Sequence, residues 1–134
     1  MLLDTNVVSE LRKLRPHGGV LAWFATQEPL SLAISSVTLF ELQAGAERTR
    51  RHDVTKADEL DRWITALPHQ VKVMDFDESA ARVTARLLIG RNVDLLPDAM
   101  IAGTAIGYDL PLATRNTRDF EGFPVQIVNP FLFR

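Results

Sequence analysis

The sequence predicts an α/β fold: a three-layer α/β/α sandwich on a mainly parallel sheet, formed by a single domain spanning residues 1–134. Three observations lead there. Short apolar or β-branched runs alternate along the chain with stretches of helical periodicity, the order of a parallel sheet covered on both faces. The chain opens on one such run, Met1-Leu2-Leu3, and follows it directly with Asp4-Thr5-Asn6. Further acids, at Glu41, Asp98 and Asp119, fall near comparable strand ends or helix starts, where open α/β sheets place their chemistry.

Leu2-Leu3 reads as a short strand ending at Asp4. Val7, Val8 and Leu11 follow at helical spacing, and Pro16 with Gly18-Gly19 is the expected stop. Residues 20–27 form a second helical stretch, with Leu21 and Phe24 three apart. Residues 30–35 (LSLAIS) read as a strand. Residues 37–48 read as a helix with Leu39, Leu42 and Ala46 along one face. Residues 56–67 form another, built on Leu60, Trp63, Ile64 and Leu67 and ended by Pro68.

Residues 71–76 (VKVMDF) alternate and are rich in β-branched side chains, a strand signature. Asp77-Glu78 starts the helix that carries Ala81, Val83, Leu87 and Leu88, and residues 92–97 form a loop. Residues 98–108 (DAMIAGTAIGY) form a small-residue helix whose Gly103 and Gly107 suggest close approach to a neighbouring element. Residues 112–114 and 125–128 supply the last two strands.

The bulk properties exclude several classes. A 46% hydrophobic and 24% charged chain is globular. With no cysteine, disulfides and thiolate metal sites are excluded. No apolar stretch approaches the roughly 20 residues of a membrane span, and no signal-peptide pattern opens the chain, so a cytoplasmic location is expected. The formal net charge of −2 is not that of a typical nucleic-acid binder. Yet twelve of the fifteen cations are Arg, several of them clustered, and the guanidinium fork suits phosphate oxygens. Solvated helix ends are the bland account of those clusters.

Asp4, Glu41, Asp98 and Asp119 would share one edge of a parallel sheet. Carboxylates brought together raise one another's pKa or need a counter-charge. Hard oxygen donors without Cys, and without a paired His, suit Mg²⁺ or Mn²⁺. Each acid also has a purely structural reading. Thr38-x-x-Glu41 matches a capping box, Asp4 and Asp98 could be N-caps, and Asp119 could be a turn acid. His17, His52 and His69 have no ligand spacing and read as surface residues. Trp23, Phe24 and Trp63 read as core. The phosphate-binding and nucleophile-elbow glycine motifs are absent.

LLDTNVVSEL, SSVTLFELQAG, LLPDAMIAGTA and LATRNTRDF, in that order, resemble the PIN-domain family, and within it the VapC toxins of VapBC modules, near the FitB-like branch. The resemblance spans essentially the whole chain. It implies a Mg²⁺-dependent endoribonuclease, with Mn²⁺ as a possible substitute, that acts as the toxin of a type II toxin–antitoxin system. By position, Asp4, Glu41 and Asp98 match the first three catalytic acids, with Asp4 and Asp98 as metal ligands. The fourth place is open between Asn116 and Asp119. Thr5, Asn6, Thr114 and Asn116 would support the carboxylates, and Arg115 would contact RNA phosphate. Glu41 would orient or deprotonate a water that cuts the phosphodiester to a 5′-phosphate and a 3′-hydroxyl.

The same resemblance implies a homodimer and a VapB-type antitoxin that places a basic residue before the acids, with DNA reached only through the antitoxin. Phe131-Leu132-Phe133, or the helix bearing Leu60 and Trp63, could supply apolar contact surface. The competing function is a non-catalytic PIN-like subunit of a DNA-binding toxin–antitoxin complex. Phosphatase and receiver-domain readings fit poorly. Position 6 is Asn rather than a second Asp, and the last Lys is Lys72.

Overall fold

A computed structural model describes all residues, 1–134. Five strands, β1 (Leu2–Leu3), β2 (Ala33–Ser35), β3 (Lys72–Met74), β4 (Leu112–Ala113) and β5 (Ile127–Val128), form one sheet in the order β3-β2-β1-β4-β5. Every pairing is parallel. Six helices connect and cover it: α1 (Thr5–Arg12), α2 (Gly18–Ala25), α3 (Ser36–Arg50), α4 (Val54–Gln70), α5 (Glu78–Leu87) and α6 (Leu96–Gly107).

Alternation within the short strands builds the three layers. Leu2 and Leu112 face one core with Ala99, Ile101, Ala102 and Phe120, while Leu3, Ile34 and Ala113 face the other with Val7, Val20 and Trp23. A one-residue slip would exchange the two sets. Since β1 is central, its register fixes the site edge. Leu3 pairs with Ile34 on one side and Ala113 on the other. The next residues, Asp4, Ser35 and Thr114, therefore lie at one level, at the carboxyl edge of the sheet.

Helix ends set the directions of the chemistry-bearing side chains. Ser35, fully buried, accepts from the Val37 N–H at 3.0 Å and lies 3.3 Å from the Thr104 hydroxyl, tying the start of α3 to α6. Asp77 caps α5 by accepting from Ala80 N–H at 2.9 Å. The α5–α6 contact requires Gly103, because a Cβ there would lie 2.1 Å from Thr84 Oγ1 and 3.0 Å from the Ala80 carbonyl. Gly107 is looser: its nearest neighbour would be Ser79 Oγ at 3.5 Å.

Several sequence expectations are corrected. Gly18-Gly19 does not stop a helix but begins α2, where His17 Nδ1 accepts from Gly19 N–H at 3.1 Å. A side chain at 19 would meet the carbonyls of Pro130, Phe131 and Phe133 at 3.1 Å each. Pro68 lies inside α4 rather than ending it. In the last turn it forfeits only one helical bond, and burial of Ile64 and Leu67 with the closing Val71 N–H to Leu67 carbonyl bond at 3.0 Å offsets that. Leu30 falls in a 3-10 turn (Pro29–Ser31), so β2 is shorter than expected. Residues 93–97 are not loop: a 3-10 turn (Val93–Leu95) runs into α6, with Pro97 in its first turn. Phe24 is 39% exposed, whereas Trp23 is core.

Candidate active site at the carboxyl edge of the sheet

Asp4 is both a helix cap and a buried acid. Its Oδ1 accepts from the Thr5 N–H at 2.8 Å at the start of α1. Its Oδ2 accepts from the Thr114 hydroxyl at 2.7 Å and from the Asn6 amide at 3.2 Å. The Asn6 amide also reaches Thr114 Oγ1 at 3.3 Å, and Asn6 Oδ1 accepts from Arg115 N–H at 3.2 Å. Thr114 Oγ1 in turn accepts from Asn116 N–H at 3.0 Å. The ends of β1 and β4 are thus locked together around one carboxylate.

Glu41 does not close a capping box. Ser35 is the cap of α3, and Thr38 lies fully buried inside the helix. The Thr5 hydroxyl instead lies 2.7 Å from Glu41 Oε1 and 3.0 Å from Thr38 Oγ1. Asp98 is not an N-cap either. The cap position of α6 is Leu95, and Asp98 follows Pro97 in the first turn. That turn's free N–H groups favour a negative charge.

Asp4, Thr5, Asn6, Ser9, Glu41, Asp98 and Asn116 line one cavity of ≈ 260 Å³. Asp119, in a 3-10 turn (Thr117–Phe120), is outside its lining. Its charge still reaches Asp98. Burial first, then the charges of Asp4, Asp119 and Glu41, push the Asp98 carboxyl up to about 6. Asp4 is also raised, chiefly by burial, with its hydrogen bonds from Thr114 and Thr5 opposing the rise. No Lys, Arg or His forms an ion pair with any of the four acids; the ion pairs belong to Glu10, Glu47, Asp58, Glu59 and Asp61.

Such a cluster is relieved by protonation, as the raised Asp98 carboxyl shows, or by a cation from outside the chain. No group of three or more His, Cys, Asp or Glu side chains is arranged to hold an ion. The donor set instead suits a hard divalent cation that takes one or two carboxylates and keeps several waters. Asp4 and Asp98 can provide those two, with Asn116 and the Thr hydroxyls as neutral neighbours.

Sequence reasoning missed Ser9 and Thr38. Ser9 lies one helical turn beyond Thr5, so its place on the cavity wall follows from i, i+4 spacing. Thr38 had no signal beyond the capping-box pattern, which pointed to another role. Arg115 does not line the cavity; its guanidinium sits 4.7 Å from the centre of the Phe131 ring.

Residues 1–124 match the family profile described as PIN domain. The chain belongs to the PIN-domain family. The "VapC ribonuclease Y4jK" of Sinorhizobium fredii is 34% identical, with 98% of this chain and 97% of that protein covered. The solved structure "Structure of FitAB bound to IR36 DNA fragment" is similar with a TM-score of 0.83 and 28% identity, covering 99% of this chain and 96% of that one. A "Toxin-antitoxin complex from Klebsiella pneumoniae" is similar with a TM-score of 0.72 and 31% identity, covering 96% of both chains.

The surface of this PIN domain also offers apolar contact area. A groove of ≈ 580 Å³ between α3 and α6 shares Glu41 with the acidic cavity and passes Phe40, Arg48 and Leu96. A second, of ≈ 360 Å³, runs by Leu11, Leu21, Phe24 and Trp63. Near the C-terminus, Leu132 is 75% exposed. No helix is long and apolar enough to cross a membrane.

Proposed function

We propose that the chain is a metal-dependent endoribonuclease, the toxin of a type II toxin–antitoxin pair, silenced by a VapB-type antitoxin. One observation carries this reading. Asp4, Glu41 and Asp98 surround a single cavity with no protein cation paired to them. The similarity to a VapC ribonuclease and to a toxin–antitoxin complex supports it.

Asp4 and Asp98 would hold the ion, Mg²⁺ with Mn²⁺ as a substitute. When bound, it supplies charge neutralisation, polarisation of the phosphate and acidification of a water. Thr5, Asn6 and Thr114 fix the Asp4 carboxylate, which limits its reorganisation during reaction. Glu41, steered by Thr5, orients the attacking water and takes its proton. The water oxygen bonds to phosphorus as the bond to the 3′-oxygen breaks, leaving a 5′-phosphate and a 3′-hydroxyl. Asn116 borders the site as a neutral amide, while Asp119 acts on Asp98 through its charge. Arg115 meets RNA phosphate at the rim. The protein works as a homodimer in the cytoplasm and reaches DNA only through its antitoxin.

A non-catalytic role would leave a costly cluster of repelling acids without a purpose. The test is mapping of RNA ends after brief induction in cells, with Asp98→Asn as control. Discrete 5′-phosphate cuts with the wild type alone, suppressed by the co-expressed antitoxin, are expected. An identical pattern with Asp98→Asn would refute the reading.

A further inference from the structure

Arg115 stands between Thr114, which bonds Asp4, and Asn116, which lines the cavity. Its backbone N–H is held by Asn6 Oδ1 at 3.2 Å. Its guanidinium pairs with no carboxylate. Instead it lies over Phe131, 4.7 Å from the ring centre. Phe131 belongs to a 3-10 turn (Pro130–Leu132) that follows β5. That turn is itself anchored. Asn129 Oδ1 accepts from Phe131 N–H at 3.0 Å, the Phe131 ring lies 5.2 Å from the His17 ring, and Gly19 lets α2 approach its carbonyls.

We propose that Phe131 is a positioning residue: it holds the guanidinium of Arg115, whose chain neighbours Thr114 and Asn116 belong to the acidic site, ready for an RNA phosphate. An unheld Arg side chain on this segment could swing towards the acids, where it would oppose a metal cation. The aromatic face satisfies the cation without neutralising it and leaves its N–H edges open. The C-terminal turn thereby takes part in substrate capture while touching no acid. The inference rests on the RNA-cleaving function proposed above.

The test compares Phe131→Leu, Phe131→Trp, Arg115→Ala and the Phe131→Leu/Arg115→Ala pair in the full chain. Phe131→Leu keeps an apolar side chain and removes the ring face, and circular dichroism of each variant verifies folding. Cleavage of a single-stranded RNA oligonucleotide is followed across salt concentrations, and its binding is followed by fluorescence anisotropy in EDTA. Phe131→Leu should raise KM about two- to five-fold at constant kcat, the range expected of an exposed cation–π contact. Its salt dependence should flatten towards that of Arg115→Ala, whose slope falls by about 0.7 for one lost phosphate contact on a single strand. Phe131→Trp should restore both, and the pair should be no worse than Arg115→Ala. Additive losses, an unchanged slope with Phe131→Leu, or no rescue by Trp would overturn the proposal. Wild-type cleavage with unaffected Phe131 variants sinks only this proposal; RNA that is neither bound nor cut sinks the parent function as well.

Discussion

The Thr114 hydroxyl donates to Asp4 Oδ2 at 2.7 Å across 110 residues of sequence. Register makes the contact: Leu3 pairs with Ala113, so the next residue of each strand emerges beside the other. Thr114→Val keeps the shape and removes the donor, and it also deprives Asn116 N–H of its acceptor. RNA cleavage should fall about 10–100-fold, the usual cost of losing an outer hydrogen bond to a metal-binding group. Thr114→Ser should retain most activity in the same assay.

Thr5 plays the corresponding part for Glu41, at 2.7 Å. Thr5→Val should lower kcat about tenfold, because Glu41 loses the contact that, in the proposed mechanism, aims it at the water. Thr5→Ser should be near wild type. Equal kcat values for the Val and Ser variants would show that Glu41 needs no such steering.

Asp98 predicts a pH dependence with a definite sign. Its folded pKa of about 6 lies above the ordinary value of 3.8. Between those values the folded state holds the proton more tightly than the unfolded state does. Stability from this group is therefore present at low pH and is lost as pH rises through about 6. The full shift would amount to roughly 3 kcal/mol, which solvent screening at a half-exposed group reduces to about 1 kcal/mol. In EDTA, Asp98→Asn should raise stability over wild type by about 1 kcal/mol at pH 7 and by little at pH 4.5. Urea denaturation at both values checks it, and an equal gain at each pH would contradict the cause assigned here.

Gly103→Ala tests the α5–α6 contact. The added Cβ would meet Thr84 Oγ1 at 2.1 Å and the Ala80 carbonyl at 3.0 Å. A loss of about 1–3 kcal/mol is expected from overpacking. Adding Thr84→Ala should recover only part, since the backbone carbonyl stays. Gly107→Ala should be neutral or slightly stabilising, as its nearest neighbour is at 3.5 Å. Thermal melts of the three variants give the order.

The sheet was legible because Leu2-Leu3, Ile34 and Leu112-Ala113 are short apolar runs at the right intervals, and the alternating order left a parallel sheet as the natural topology. The meeting of Asp4, Glu41 and Asp98 at one edge followed from the same rule. What sequence could not give was set by tertiary contact. Pro68 and Gly18-Gly19 looked like stops because local propensity says so, and burial of Leu67 and the approach of the C-terminal turn overrule it. Thr38 looked like a cap because the pattern for one is only four residues long; Ser35, already fixed by Thr104, takes that place. Phe131 beneath Arg115 had no local signal, since the two meet only because β4 and β5 pair, Ala113 with Val128.

In the proposed mechanism Asp4 is the hub of a metal-dependent nuclease site. The most direct measurement is RNA cleavage by purified wild-type protein and Asp4→Asn, with Mg²⁺ titrated in after EDTA treatment and folding verified by circular dichroism. Metal-dependent cleavage by the wild type, absent from a folded Asp4→Asn, is the predicted result. Undiminished cleavage by folded Asp4→Asn, or wild-type cleavage indifferent to EDTA, would contradict it.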